Sequence, residues 1–149
     1  MAFIKTFHVR WADLDPNGHM RHSVYNDYAA HVRVCMFEEY GFSINRLVKL
    51  GIGPVLFREE TRFLKELRMN EPFTMDCSIL AMRRNGKIWT IQHVAKNEKG
   101  ENACVITVDG AWLDLKERKI IPPPDELHEI IDTLPRADKF EWLPDKNNN

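Results

Sequence analysis

The sequence predicts a single antiparallel α+β domain, and three observations carry that expectation. A stretch from Ser23 to about Tyr40 has the apolar spacing of a helix, and stretches before and after it alternate apolar and polar residues with a period of two. The later strands are joined by short turn signals such as Asn85-Gly86 rather than by further helices. Strand, helix, then four strands linked largely by hairpins is not the alternating order of a doubly wound sheet.

The first strand spans Phe3 to Trp11, with Phe7, Val9 and Trp11 on one face and Thr6, His8 and Arg10 on the other. His8 is therefore expected to face solvent. Ser23 is placed to cap the helix and Gly41 to stop it. Tyr25, Tyr28, Ala29, Val32, Cys35 and Met36 form its apolar face, Val34 and Phe37 widen the band, and a narrow stripe with Asp27, His31 and Glu38 stays polar. A helix so apolar around its circumference needs enclosure by a wrapping sheet or a partner subunit. The next segment, Phe42 to Gly53, reads as a short helix or an ordered lid.

From Pro54 to Arg68, Val55, Phe57, Thr61, Phe63 and Leu67 alternate with Arg58, Glu60, Arg62 and Glu66. Glu59 falls on the apolar side, where an acid is costly unless it is paired or lines a cleft, so it is a secondary site candidate. A third strand from Glu71-Pro72 to about Arg83 and a fourth from Ile88 to about Lys96 flank the Asn-Gly turn. A fifth runs from about Ala103 to Leu115, and Gly110 within it signals a bulge or a close backbone approach. Pro122-Pro123-Pro124 ends the sheet region, and Asp125 can cap a short helix reaching Leu134. Residues 1–134 are read as one domain and 135–149 as a carboxy-terminal extension. Phe140, Trp142 and Leu143 are candidates to dock on the body, while Lys146 and the asparagines after it are expected to be disordered.

Chemistry concentrates between the first strand and the helix. Asp13-Leu14-Asp15-Pro16-Asn17-Gly18-His19-Met20-Arg21-His22-Ser23 is a turn dense in ionisable side chains that feeds a helix amino terminus. It resembles the first half of a calcium loop, but the bidentate Glu needed at the twelfth position is Val24, which rejects that reading. Asp13, Asp15, His19 and His22 are suitable ligand types for a transition metal, although no matching cluster follows downstream. A third reading places an acid opposite the free N–H groups and positive end of a helix, an arrangement suited to acyl transfer. Against all three stands a plain structural role: Asp15 can simply order an Asp-Pro turn, and His22 can sit at the surface.

Asp-x-Asp-Pro-x-Gly, His22 seven residues after Asp15, and Ser-x-Tyr at the helix start resemble the signature of hot-dog acyl-CoA thioesterases of the 4-hydroxybenzoyl-CoA thioesterase class. The resemblance covers roughly residues 3 to 115 and implies a five-stranded antiparallel sheet wrapped around a long central helix. It aligns Asp15 with the family's catalytic carboxylate, His22 with the helix-entrance position and Tyr25 with an aromatic common there. It implies hydrolysis of acyl-CoA, or of an acyl-carrier-protein thioester, with no metal and no organic cofactor. On the residues alone, Arg83, Arg84 and Lys87 form a solvated hairpin tip. The resemblance makes them candidates for binding the CoA phosphates, and it implies a homodimer or homotetramer with sites between subunits. The principal rival is a non-catalytic acyl-CoA or acyl-chain binding module on the same fold. A metal-dependent hydrolase using the Asp/His cluster comes third, and no Asp/His motif of a hot-dog hydratase is present.

The 149 residues suit one domain with one core. A formal charge of −1 gives no overall basic excess for binding nucleic acid. The odd number of cysteines, Cys35, Cys77 and Cys104, without paired spacing points to a reducing compartment. No signal peptide or membrane-length apolar run is seen, so the expected location is the cytoplasm, without membrane association.

Overall fold

The computed structural model describes residues 2–145. Its strands are β1 (Phe3–His8), β2 (Ile52–Phe63), β3 (Pro72–Met82), β4 (Ile88–Lys96), β5 (Asn102–Asp114), β6 (Lys119–Ile121) and β7 (Arg136–Trp142); its helices are α1 (Val24–Glu39), α2 (Ile44–Leu50) and α3 (Asp125–Ile131). The sheet runs β1-β3-β4-β5-β2, with β6 added to β5 and β7 to β3. All pairings are antiparallel except that of β7 with β3.

The expected α+β class and the five-strand antiparallel path are present, but the sheet has seven strands. The added β7 comes from the segment read as a trailing extension: Ala81 pairs with Glu141 and Met82 with Trp142, and Phe140 and Trp142 pack against the core. Arg136-Ala137-Asp138-Lys139 offers little alternation, so tertiary pairing rather than local pattern makes this a strand. The expectation of disorder for Lys146 and the terminal asparagines falls outside the described residues.

Helix α1 is one 16-residue helix and contacts β1, β3 and β5. Tyr25, Ala29, Val32 and Met36 recur at helical spacing and are buried, while Asp27, His31, Val34 and Glu38 remain exposed. The sheet therefore covers one side of α1 rather than its whole circumference. Full burial of a side chain such as Met36 contributes about 1.5–3 kcal/mol, so this stripe seats the helix on the sheet.

Two expectations fail at the first strand. It ends at His8, and Trp11 lies in a 3-10 turn, Trp11–Asp13, with 78% of its surface exposed. His8 is exposed as expected. The ambiguous segment after Gly41 resolves as α2, whose Ser43 side chain caps Arg46 N–H and whose end is set by Gly51 at φ 71°.

Gly110 meets both readings made of it. A Cβ there would stand 2.3 Å from Trp89 Cη2 and 2.6 Å from the Val55 carbonyl oxygen, so only glycine fits. Opposite it, the β2 register shifts between Leu56 and Arg58, leaving Phe57 as the extra residue. This bulge inverts the facing of β2 part way along. Pro54 and Leu56 share the α1-side face with their partners Trp112 and Gly110, and beyond the bulge Glu59, Thr61 and Phe63 share it with Val108, Ile106 and Cys104. Strict alternation from Val55 to Phe63 therefore misassigned the first half of the strand.

The Asn-Gly hairpin forms with a longer turn than the two-residue type. Only Gly86 takes positive φ, at 74°, and Asn85 Oδ1 accepts from Lys87 N–H.

Candidate active site

The loop from Leu14 to Arg21 closes on itself and is tied to the β2–β3 connection. Asp15 N–H donates to the His19 carbonyl at 2.8 Å, and Gly18 N–H donates to the Asp15 carbonyl at 3.0 Å, with Gly18 at φ 79°. Met20 N–H donates to the Leu67 carbonyl at 2.7 Å, and buried Met20 and Leu67 anchor the loop in the core.

The two acids of this loop are in different states. Asp13 is 1% exposed, and both its oxygens are engaged. Oδ1 accepts from Arg10 Nη2 at 2.8 Å, and Oδ2 accepts from Arg10 N–H, Arg10 Nε and the Tyr28 hydroxyl. Burial alone would raise the Asp13 pKa, but the hydrogen bonds from Arg10 and Tyr28 outweigh it and hold the carboxyl below its ordinary range. Asp13 is thus a structural anchor between the 3-10 turn and α1.

Asp15 is half-buried and uses one oxygen only. Oδ1 accepts from Asn17 N–H at 2.9 Å and His19 N–H at 3.2 Å; among the described residues Oδ2 takes no hydrogen bond. The turn-ordering role is therefore real, and it orients a carboxylate whose second oxygen stays free. The Tyr25 phenol in the first turn of α1 is pushed up to about 12, chiefly by burial.

His22 is exposed in the turn before α1. The expected Ser23 cap is not formed. Ser23 Oγ instead accepts from Arg21 Nε at 3.1 Å and makes no cap hydrogen bond to α1. Arg21 is the residue that sequence reasoning passed over: its N–H donates to the Asp13 carbonyl at 2.7 Å and its Nη1 to the Ala12 carbonyl at 2.7 Å, fastening the loop to the helix entrance. An arginine between two histidines in a loop carries no pattern that announces such a staple.

The proposed metal ligands do not converge. His19 Nε2 pairs with Glu66 Oε2 at 2.6 Å, Asp13 belongs to Arg10 and Tyr28, and among the described residues no group of three or more His, Cys, Asp or Glu side chains could hold a metal.

Glu59 lies on the α1-side face of β2, exposed, with no cation in ion-pair distance among the described residues. Its neighbours on that face meet α1 directly: Thr61 Oγ1 donates to Asn26 Oδ1 at 2.9 Å, and the Phe63 and Tyr25 rings stand 5.5 Å apart edge to face.

Arg83, Arg84 and Lys87 are not brought to Asp15. The Asp15 loop is tied to residues preceding β3, and the basic hairpin follows the end of β3, a strand of 11 residues that spans roughly 35 Å. Arg84 stacks on Trp142 of β7 with its guanidinium carbon 4.5 Å from the ring centroid, and Arg136 stands 4.9 Å from the same ring.

A family model for the thioesterase-like superfamily matches residues 9–131. No curated protein sequence matches the chain. Solved structures are similar at low identity. A hypothetical Staphylococcus aureus protein in complex with CoA has TM-score 0.83 at 21% identity, over 92% of this chain and 88% of that one. A Staphylococcus aureus DHNA-CoA thioesterase has TM-score 0.80 at 20% identity, over 88% and 89%. A Synechocystis 1,4-dihydroxy-2-naphthoyl-CoA thioesterase has TM-score 0.80 at 15% identity, over 90% and 98%. At these identities the likeness establishes the fold.

Proposed function

The chain belongs to the thioesterase-like superfamily, and from that premise we propose that it hydrolyses an acyl-CoA to the free acid and coenzyme A, with Asp15 as the reacting carboxylate. The observation that carries this is the half-used carboxylate: Oδ1 is fixed by two backbone N–H groups, and among the described residues Oδ2 takes no hydrogen bond, in the loop that leads into α1. The 4-hydroxybenzoyl-CoA thioesterase class, suggested by the spacing of Asp15, His22 and Tyr25, is the finer assignment.

The chemistry follows from the arrangement. The thioester carbonyl lies at the helix entrance, where backbone N–H groups, including that of His22, and the positive end of the helix favour the developing oxyanion. Asp15 takes a proton from water as water attacks the carbonyl carbon, or attacks that carbon itself to form an anhydride that water then opens. The tetrahedral intermediate collapses with loss of the CoA thiolate. A thiolate is a good leaving group, so one carboxylate and an oxyanion site suffice. The His22 ring orients water or substrate. A single turnover in ¹⁸O-water separates the routes: attack by water on the thioester carbon puts the label in the product acid, whereas an anhydride opened by water at the Asp15 carbonyl carbon puts it in Asp15 and leaves the product unlabelled.

The working unit is a homodimer, with a tetramer as its doubled form. Strand β2 ends the sheet with one edge unpaired among the described residues, and Phe57 and Phe63 on it are 62% and 53% exposed. Antiparallel pairing of two such edges sets the Ile52 end of one subunit beside the Phe63 end of the other. The hairpin with Arg83, Arg84 and Lys87 then approaches the partner's Asp15 end, where those residues serve the CoA phosphates.

The test is thiol release from short, long and aromatic acyl-CoAs. Turnover of at least one supports the proposal. Saturable acyl-CoA binding without turnover across the panel identifies the chain as a binding module instead.

A further inference from the structure

A cavity of about 450 Å³ lies between α1, α2, the first half of β2 and the floor of the sheet. Phe37, Leu47, Ile52, Trp89, Ile91 and Trp112 give its character, and among the described residues Arg33 is the one charged residue that lines it. Its volume is that of a small-molecule pocket.

Arg33 is held unusually. Its Nη1 lies 2.9 Å from His93 Nε2, and His93 Nδ1 lies 2.7 Å from the Asp76 carbonyl oxygen. A guanidinium only donates, so Nε2 must offer its lone pair, and the Asp76 carbonyl only accepts, so Nδ1 must carry the proton. His93 is therefore neutral and its tautomer fixed. Burial first and the neighbouring Arg33 second bring its pKa down to about 3, in keeping with this geometry.

The consequence is a largely buried cation with no counter-ion among the described residues. Among the described residues no carboxylate lies within ion-pair distance of Arg33; Glu59 is close enough to act on it electrostatically but does not reach it. An unpaired guanidinium beside an apolar cavity is costly, and a planar anion placed there gains the forked, charge-assisted contact that guanidinium makes best.

We infer that this cavity receives an apolar acyl group and that Arg33 selects for a carboxylate carried on that group, remote from the thioester. The acyl class is then carboxylate-ended chains or rings rather than plain fatty acyl groups. The inference deepens the proposed hydrolase reading and rests on it only for the thioester at the other end; pocket binding is tested without a thioester.

The binding probes are octanoate and octanol, equal in length, titrated against the full chain and followed by tryptophan fluorescence, since Trp89 and Trp112 line the cavity. Wild type is expected to bind octanoate at least tenfold more tightly than octanol. Arg33→Met should abolish that preference while keeping octanol affinity within about threefold. Equal affinity of the wild type for both probes, or a preference that survives in Arg33→Met, overturns the inference. In case Arg33→Met folds poorly, the Arg33 side-chain ¹⁵N resonances of the wild type provide a second reading: they should shift with octanoate and not with octanol, and the same response to both overturns it. Hydrolysis of ω-carboxyacyl-CoA over acyl-CoA of the same length is measured separately, so a chain that binds octanoate through Arg33 but hydrolyses neither thioester refutes the hydrolase reading alone.

Discussion

The two ends of α1 place opposite demands on the same helix. At its amino end, polar groups are dense and almost all are satisfied: Asp13 is saturated by Arg10 and Tyr28, His19 is paired with Glu66, and Arg21 is spent on the Asp13 and Ala12 carbonyls and on Ser23. In its carboxy half, beside α2 and the sheet floor, polar groups are scarce and Arg33 has no counter-ion among the described residues. In both places the informative group is the one left incomplete, Asp15 Oδ2 in a crowded loop and the Arg33 guanidinium beside an apolar cavity. Density of charge marks where a loop is built; unspent bonding capacity marks where a ligand fits.

Changes to the packed groups around the cavity should appear as lost stability, and changes at the amino end should divide according to whether the group is already satisfied. The largest loss of stability is expected from Gly110→Ala, which sits against Trp89 of the cavity lining. Its new methyl meets both Trp89 and the Val55 carbonyl, a backbone contact that cannot rotate away, and the cost should be about 3 kcal/mol in urea unfolding.

A second effect is a pH slope. His93 takes up a proton near its ordinary value when unfolded but only near 3 when folded, so its stabilisation is complete above about 6.5 and declines as pH falls. Between pH 6 and 4 the wild type should lose about 1.4 kcal/mol per pH unit from this group. His93→Gln, which can accept from Arg33 and donate to the Asp76 carbonyl, should flatten that slope in pH-dependent melting. Asp13 adds a further loss of the same sign at lower pH, because its depressed carboxyl stabilises the fold above the unfolded value and ceases to do so as pH drops through the folded one.

At the amino end, Asp13→Asn should cost about 1–3 kcal/mol, since it removes the charge that Arg10 and Tyr28 share. Per folded molecule its activity should stay within about threefold of wild type, a loss too small to represent a missing general base. The smallest expected effect is His22→Ala. The helix-entrance role uses the backbone N–H and the ring is exposed, so kcat should fall less than tenfold. A collapse of activity would make the imidazole itself essential.

How far the fold could be read in advance follows the same line. The loop was legible because its turn chemistry is local: Asp15, Pro16, Asn17 and Gly18 specify a turn whatever surrounds them. The order of the strands was legible from period and hairpin signals. The faces of β2 were not, because one extra residue at Phe57 reverses every side chain before it, and Gly110, the partner that marks the bulge, sits in another strand. Strand β7 was missed because its pairing with β3 is non-local and its own pattern is weak. Arg33 was overlooked because it lies in an apolar band and nothing in sequence links it to His93, 60 residues away. A cation among Val32, Val34 and Met36 was the available signal, set against the polar stripe of Asp27, His31 and Glu38.

The central claim is that Asp15 is the reacting group, and the direct measurement is kcat of Asp15→Asn against wild type on whichever acyl-CoA the wild type turns over best, with melting temperatures measured on the same samples. Asn keeps an oxygen to accept the Asn17 and His19 N–H groups, so the fold should hold while the reactive carboxylate is lost. The account predicts a fall in kcat of about 10²–10⁴-fold with melting changed by no more than a few degrees. An Asp15→Asn protein that keeps wild-type turnover would show that Asp15 only orders its turn, and the proposed mechanism would be wrong.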